Sequence, residues 1–237
     1  MRPFSLVFDL LGSSTHGAAS AARFVPHSRS LTTLRAAARS CEGCDLYKYA
    51  TQTVFGEGTR GAALLLIGEQ PGDQEDLRGR PFVGPAGEVL DRALEAAGVS
   101  RGEAYVTNVV KHFKFEERGK RRIHKKPGTV EIQACMPWLE AEVEAVEPQV
   151  LVCLGATAAQ AVLGRNFRLM ANRGRIVRPA SGPPAIATVH PSAVLRAPDA
   201  SAREKLYMLI VDDLRAAAKL SRIASGSPAT TRAPVRG

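Results

Sequence analysis

Four short apolar runs, each set apart from the next by a helical stretch, constrain this fold more than any other feature. Ala62 to Gly68, Tyr105 to Val110, Val150 to Leu154 and Ala185 to Val189 read as buried strands. Gly87 to Ala97 has apolar residues at helical spacing and stops at Gly98. Thr129 to Val146 is entered after Pro127-Gly128 and ended before Pro148. Gly155 opens a short helix through Leu163, and Ser201 to Leu220 forms a closing helix. The alternation predicts an α/β fold of three layers, α/β/α, around a central, mainly parallel four-stranded sheet. In such sheets ligands bind beyond the carboxyl ends of the strands. Those ends carry Glu69-Gln70-Pro71-Gly72, Asn108, Cys153-Leu154-Gly155 and His190-Pro191-Ser192, so polar groups are expected to converge on one rim.

The chain has 237 residues, 45% of them hydrophobic and 23% charged, enough to bury a core and to exclude wholesale disorder. Its longest apolar run, Ala62 to Ile67, is far too short for a bilayer span, so no membrane is expected. Met1 to Leu11 is a poor secretory core, interrupted by Ser5 and Asp9, which makes the bacterial cytosol the expected compartment. Residues 1–28, rich in Ser and Ala, read as an extension. Residues 29–220 form one domain, and residues 221–237 a loose basic tail. Lys and Arg total 32 against 23 Asp and Glu, a net charge of +9. That excess points to a polyanion, nucleic acid first; a simple solubility charge is the alternative.

Four cysteines are too few for a disulfide scaffold of this length. Cys41 and Cys44 form one Cys-x-x-Cys pair; Cys135 falls in the third helix, and Cys153 closes the third strand. Thiolates are soft ligands, so the set suits an iron–sulfur cluster or zinc, with ordinary buried thiols as the bland alternative.

The rim motifs are more particular. Gly68-Glu69-Gln70-Pro71-Gly72 runs on through Gly79-Arg80-Pro81-Phe82-Val83-Gly84, without the Gly-Lys-Ser/Thr of a phosphate-binding loop. With Thr107-Asn108-Val109-Val110-Lys111 and His190-Pro191-Ser192-Ala193-Val194-Leu195-Arg196, this stretch resembles the family 4 uracil-DNA glycosylases over about residues 35 to 215. Family 4 enzymes commonly carry a small residue where this chain has Gln70. Gly-Glu-Gln-Pro-Gly combined with Lys120-Arg121-Arg122-Ile123-His124 resembles the subgroup called UdgX, whose members become covalently joined to the DNA from which they remove uracil.

The resemblance implies a set of roles. Cys41, Cys44, Cys135 and Cys153 would hold a 4Fe-4S cluster. Phe82 would stack on a flipped uracil, Asn108 would read its edge, and Gly68 and Gly72 would shape the pocket. His190 would donate to uracil O2 as negative charge develops there. Glu69 and Gln70 would assist at the sugar, and His124 would attack C1′ in place of water. The cations around it, Lys120, Arg121, Arg122, Lys125 and Lys126, would keep His124 neutral and grip phosphate. Val194, Leu195 and Arg196 would wedge into the gap in the duplex. The expected function is a monomeric, single-turnover glycosylase acting on uracil-containing DNA, single- and double-stranded, with free uracil as product. The alternatives are a hydrolytic family 4-like glycosylase and a non-enzymatic iron–sulfur DNA-binding module.

Overall fold

The structure, a computed structural model, describes residues 19–179 and 182–224. Its centre is a sheet whose strands run β2 (Ala104–Asn108), β1 (Leu64–Gly68), β5 (Val150–Leu154), β7 (Ala185–Thr188) and β6 (Ile176–Val177). The first four pair in parallel, as the alternation predicts. The fifth strand, β6, was not expected. It is two residues long and pairs antiparallel with β7 at the sheet edge. So short a run carries no readable periodicity.

Every residue of β1, β2, β5 and β7 is buried, the state demanded of parallel strands covered on both faces. Alternate residues divide between two cores. Leu65, Ile67, Tyr105, Leu151 and Cys153 face α1 (Leu31–Ala38), α4 (Thr129–Val146) and α5 (Ala156–Leu163). Leu64, Leu66, Val106, Val152 and Ile186 face α3 (Pro85–Ala96), α7 (Pro191–Leu195) and α8 (Ala200–Ala224). A short helix, α2 (Asp73–Arg78), follows the β1 rim, and a second, α6 (Leu169–Asn172), precedes β6.

The basic stretch after β2 is a hairpin rather than a loop. Strands β3 (Phe115–Arg118) and β4 (Arg121–His124) pair antiparallel across Gly119-Lys120. Gly119 takes φ 61°, a left-handed turn conformation that costs glycine little. This hairpin brings His124 back to the base of the ribbon, opposite Phe115.

At the termini of the domain, Ala21 is buried and its N–H donates to the Ala134 carbonyl of α4, so residues 19–28 pack on the core. Helix α8 continues to Ala224, four residues beyond the Leu220 boundary. The remainder of the expected extension and tail, residues 1–18 and 225–237, lies outside the described residues. Among the described residues, no helix is long and apolar enough to cross a membrane.

Candidate active site

A pocket of about 730 Å³ opens at the carboxyl ends of β1, β2, β5 and β7. It is lined by Glu69, Phe82, Asn108, His124, Thr157 and His190, among others. The expected rim therefore exists, and the hairpin delivers His124 to it.

Asn108 ends β2 and is almost fully buried, yet its Oδ1 has no hydrogen-bond partner. Burying an unpaired amide oxygen costs about 1–3 kcal/mol. The cost is offset if a ligand N–H arrives. Its backbone is firmly held, since the Asn108 carbonyl accepts from Lys111 Nζ at 2.6 Å. Lys111 in turn pairs with Glu142 of α4 at 2.5 Å, both wholly buried. Glu142 also accepts from Tyr105 Oη at 2.9 Å and from the Gly56 N–H at 2.8 Å, so the buried charge is fully satisfied.

Phe82 is buried beside Asn108 and sits at φ 54°, a left-handed conformation rare for an aromatic residue. The loop that imposes it is tied to Glu75, whose carboxylate accepts from the N–H groups of Gly72, Val83 and Gly84 at 3.1, 3.0 and 2.8 Å. Gly68 lets the two pocket walls meet. A β-carbon there would collide with Asn108 Oδ1 and lie 2.7 Å from Phe82 Cζ. Gly87 is equally constrained, because its missing side chain is where the Phe82 carbonyl passes.

His190 ends the β7 segment, with its ring 6.1 Å from that of Phe82. Its Nδ1 accepts from the Ser192 N–H at 3.1 Å and lies 2.7 Å from Ser192 Oγ. An occupied Nδ1 lone pair puts the proton of the neutral ring on Nε2, leaving that atom a donor. Burial, with Arg196 and His124 nearby, lowers the His190 pKa to about 4. The ring is therefore neutral at pH 7.

Glu69 and His124 face each other across the pocket, with Glu69 Oε1 3.5 Å from His124 Nε2. The other Glu69 oxygen, Oε2, accepts a short hydrogen bond from Thr157 Oγ1. Gln70 is buried beneath them. Its Oε1 accepts from the Lys114 N–H at 3.2 Å, and its Nε2 faces the carbonyls of Lys114 and Lys125 at 3.1 and 3.0 Å. These backbone partners fix the amide's orientation. The same Nε2 lies 3.0 Å from His124 Nε2, so the histidine nitrogen is held as an acceptor.

The His124 pKa is lowered, as expected, but from a different cause. Desolvation is the largest contribution, Arg196 adds to it, and Glu69 opposes it. The cations of its own hairpin do not produce the shift. Arg122 is the clearest case, because a phosphate contact was expected of it. Its Nε donates to Asp73 Oδ1 at 2.7 Å and its Nη1 to buried Asp76 Oδ2 at 2.6 Å. It also lies 5.5 and 5.1 Å from the ring centres of Phe113 and Phe115. The guanidinium thus clamps the hairpin to α2. Lys120, Arg121 and Lys125 are exposed.

The wedge residues separate as well. Val194 is buried in the core between α3, α7 and α8, so it is a strut for the tip. Leu195 is 47% exposed and Arg196 is exposed, with its Nη1 donating to Ser192 Oγ at 2.9 Å.

All four cysteines are buried, unpaired and part of one core. Cys41, Cys44 and Cys135 lie close enough to act on one another electrostatically. Cys41 Sγ accepts from Trp138 Nε1 at 3.1 Å, and Cys135 Sγ accepts from the Lys111 N–H at 3.3 Å, a bond that favours the Cys135 thiolate. Burial nevertheless pushes Cys135 up to about 12, so a metal is what would make these sulfurs anionic. Cys153 stands in the central strand, paired in register with Ile67 and Ala187. Its thiol is also raised to about 12, by burial alone. The donors suit a soft metal group chemically, but among the described residues no set of three or more His, Cys, Asp or Glu side chains stands ready to hold a metal ion.

Two contributors escaped sequence reading. Thr157 was legible only as the second residue of a helix opened by Gly155. Glu75 carries no sequence signal of its role, because only the folded loop brings the N–H groups of Gly72, Val83 and Gly84 to it.

The comparisons with known proteins agree with this pocket. The family model described as "Uracil DNA glycosylase superfamily" matches residues 55–215, which include all four of the strand ends. The Type-4 uracil-DNA glycosylase of Pyrobaculum aerophilum is 36% identical over 68% of this chain and 82% of its own. That of Thermotoga maritima is 34% identical over 76% and 88%, and that of Archaeoglobus fulgidus 37% over 67% and 80%. A match across the strand ends, the pocket and most of each relative's length places this chain in the uracil DNA glycosylase superfamily.

Proposed function

We propose that this protein excises uracil from DNA and then becomes bonded through His124 to the abasic sugar it has made. The observation that carries the excision is the unpartnered Asn108 Oδ1. Uracil presents an N3–H donor and an O4 acceptor, which match the oxygen and NH2 of one amide. Cytosine lacks the N3–H and presents an amine instead of O4, so it would leave Asn108 Oδ1 unpaired. Phe82 stacks on the flipped ring, as base-excising enzymes require.

In the reaction, the bond between uracil N1 and C1′ breaks and its electron pair leaves with uracil. His190 Nε2–H donates to O2 and stabilises that anion. The Glu69 carboxylate steadies the positive sugar. His124 Nε2, unprotonated, supplies a lone pair to C1′ and forms the new N–C bond. Its Nδ1 proton then passes to water, since the ring is half exposed, and uracil takes up a proton from solvent.

The hydrolytic reading has its own support in Glu69, a pocket carboxylate placed to orient water, and in relatives whose names say glycosylase and nothing of capture. Denaturing electrophoresis separates the two. A protein–DNA band that survives boiling means capture, and an abasic site with turnover means hydrolysis.

Cys41, Cys44 and Cys135 are proposed to anchor a 4Fe-4S cluster, with Cys153 the fourth candidate. The cluster would brace α1 and α4 near Lys111 and takes no part in the bond changes. We further propose that uracil-containing DNA, single- and double-stranded, is bound by a monomer in the bacterial cytosol, with Lys120, Arg121 and Lys125 on phosphates and Leu195 as the wedge.

A further inference from the structure

A second groove, of about 520 Å³, adjoins the catalytic pocket and shares Lys126 and Thr157 with it. One wall is α4, where Ile132, Met136 and Glu140 recur every fourth residue and so form one stripe. The other is α5, with Arg165 just beyond its end. Lys126 and Arg165 are both exposed and make no ion pair among the described residues. The groove is thus an apolar strip, Ile132 and Met136, flanked by two unspent cations and open to the place where uracil must sit.

We infer that this groove is a subsite for the nucleotide adjoining the flipped uracil, its base lying on Met136 and Ile132 and its phosphates meeting Lys126 and Arg165. The inference rests on the glycosylase reading. Continuity with the pocket makes the next nucleotide of the same strand the natural occupant. A methionine sulfur and an aliphatic side chain accept any base face, so the subsite is indifferent to sequence. Glu140 is the discordant residue. Burial and the neighbouring Glu144 raise its pKa to about 6, and above that pH its charge opposes a phosphate. Removing the charge should therefore strengthen binding.

The test is single-turnover uracil release from a single-stranded oligonucleotide with one central uracil, and from two versions that end at the uracil on the 5′ or the 3′ side. Arg165→Glu should raise the half-saturating concentration severalfold, far more than it changes the maximal rate. It should also reduce the slope of log affinity against log salt by about 0.7. Glu140→Gln should lower the half-saturating concentration. Both effects should vanish on one truncated substrate, the one lacking the groove nucleotide. Opposite signs exclude mere loss of folding. Effects equal on all three substrates, or absent from all, would overturn the subsite. If the unsubstituted protein released no uracil from any substrate, the glycosylase reading itself would fall, and the subsite with it.

Discussion

Gln70 Nε2 stands 3.0 Å from His124 Nε2, and a side-chain N–H facing a ring nitrogen leaves that nitrogen only the acceptor's role. The pair therefore fixes the histidine's tautomer as well as its position. The amide has two hydrogens and three acceptors, His124 Nε2 and the carbonyls of Lys114 and Lys125. Freeing the imidazole for attack costs little, because both hydrogens keep partners. Gln70→Ala is expected to spare uracil release while weakening capture, measured as the ratio of bonded DNA to released uracil.

Gly68 is a sharp test of the pocket. Gly68→Ala would push a methyl group into Asn108 Oδ1 and the Phe82 ring. Displacing recognition groups by about 1 Å costs about 10²-fold in rate. Single-turnover uracil release should fall by that order while thermal stability changes far less.

Arg122 carries structure rather than phosphate. Arg122→Met would leave Asp76 buried without its cation, a loss of about 3 kcal/mol. Denaturant unfolding should show that loss. Capture should fall more than excision, because the hairpin that presents His124 is released while Asn108 and Phe82 stay in place.

The histidines set the acid limit. His190 and His112 both have pKa values lowered to about 4, chiefly by burial. The unfolded chain binds more protons than the folded one between pH 6.5 and 4, so stability is full above 6.5 and falls as pH drops towards 4. Roughly 3 kcal/mol per histidine is lost across that window. His124 is also lowered, so capture should hold at neutral pH, persist into acid below the ordinary histidine range, and fail only as imidazolium forms there. Unfolding free energies and capture yields between pH 4 and 8 check both.

For the cysteines, Cys41→Ser, Cys44→Ser and Cys135→Ser should each lose iron and the absorbance near 400 nm of an iron–sulfur protein. Cysteine neighbours help to raise Cys44 and Cys135, whereas burial alone raises Cys153, which stands in the central strand. Cys153→Ala is therefore expected to retain iron, as read by metal analysis. Its loss of iron would assign the fourth position to Cys153.

The parallel sheet was legible because buried parallel strands read as unbroken apolar runs, Leu64–Gly68 and Val150–Leu154 above all. The rim motifs located the pocket because they end those strands. The hairpin was not legible. Its strands, FEER and RRIH, have no apolar face and alternate no pattern that marks a strand. Arg122 looked like its cationic neighbours because its partners, Asp73 and Asp76, lie more than 40 residues away. Val194 looked like a tip residue because α7 is a single turn, whose packing on α3 and α8 leaves no periodicity. What His124 experiences is likewise a tertiary property: burial first, then Glu69 and Arg196 brought in from distant elements, set the direction of its pKa.

The most direct measurement mixes the protein with a labelled uracil-containing oligonucleotide, and with a matched thymine control, followed by boiling in detergent and a denaturing gel. A slow band with uracil DNA alone, lost in His124→Ser, is the predicted result. An abasic site without a slow band, or a slow band that persists in His124→Ser, would contradict the assignment of His124 as nucleophile.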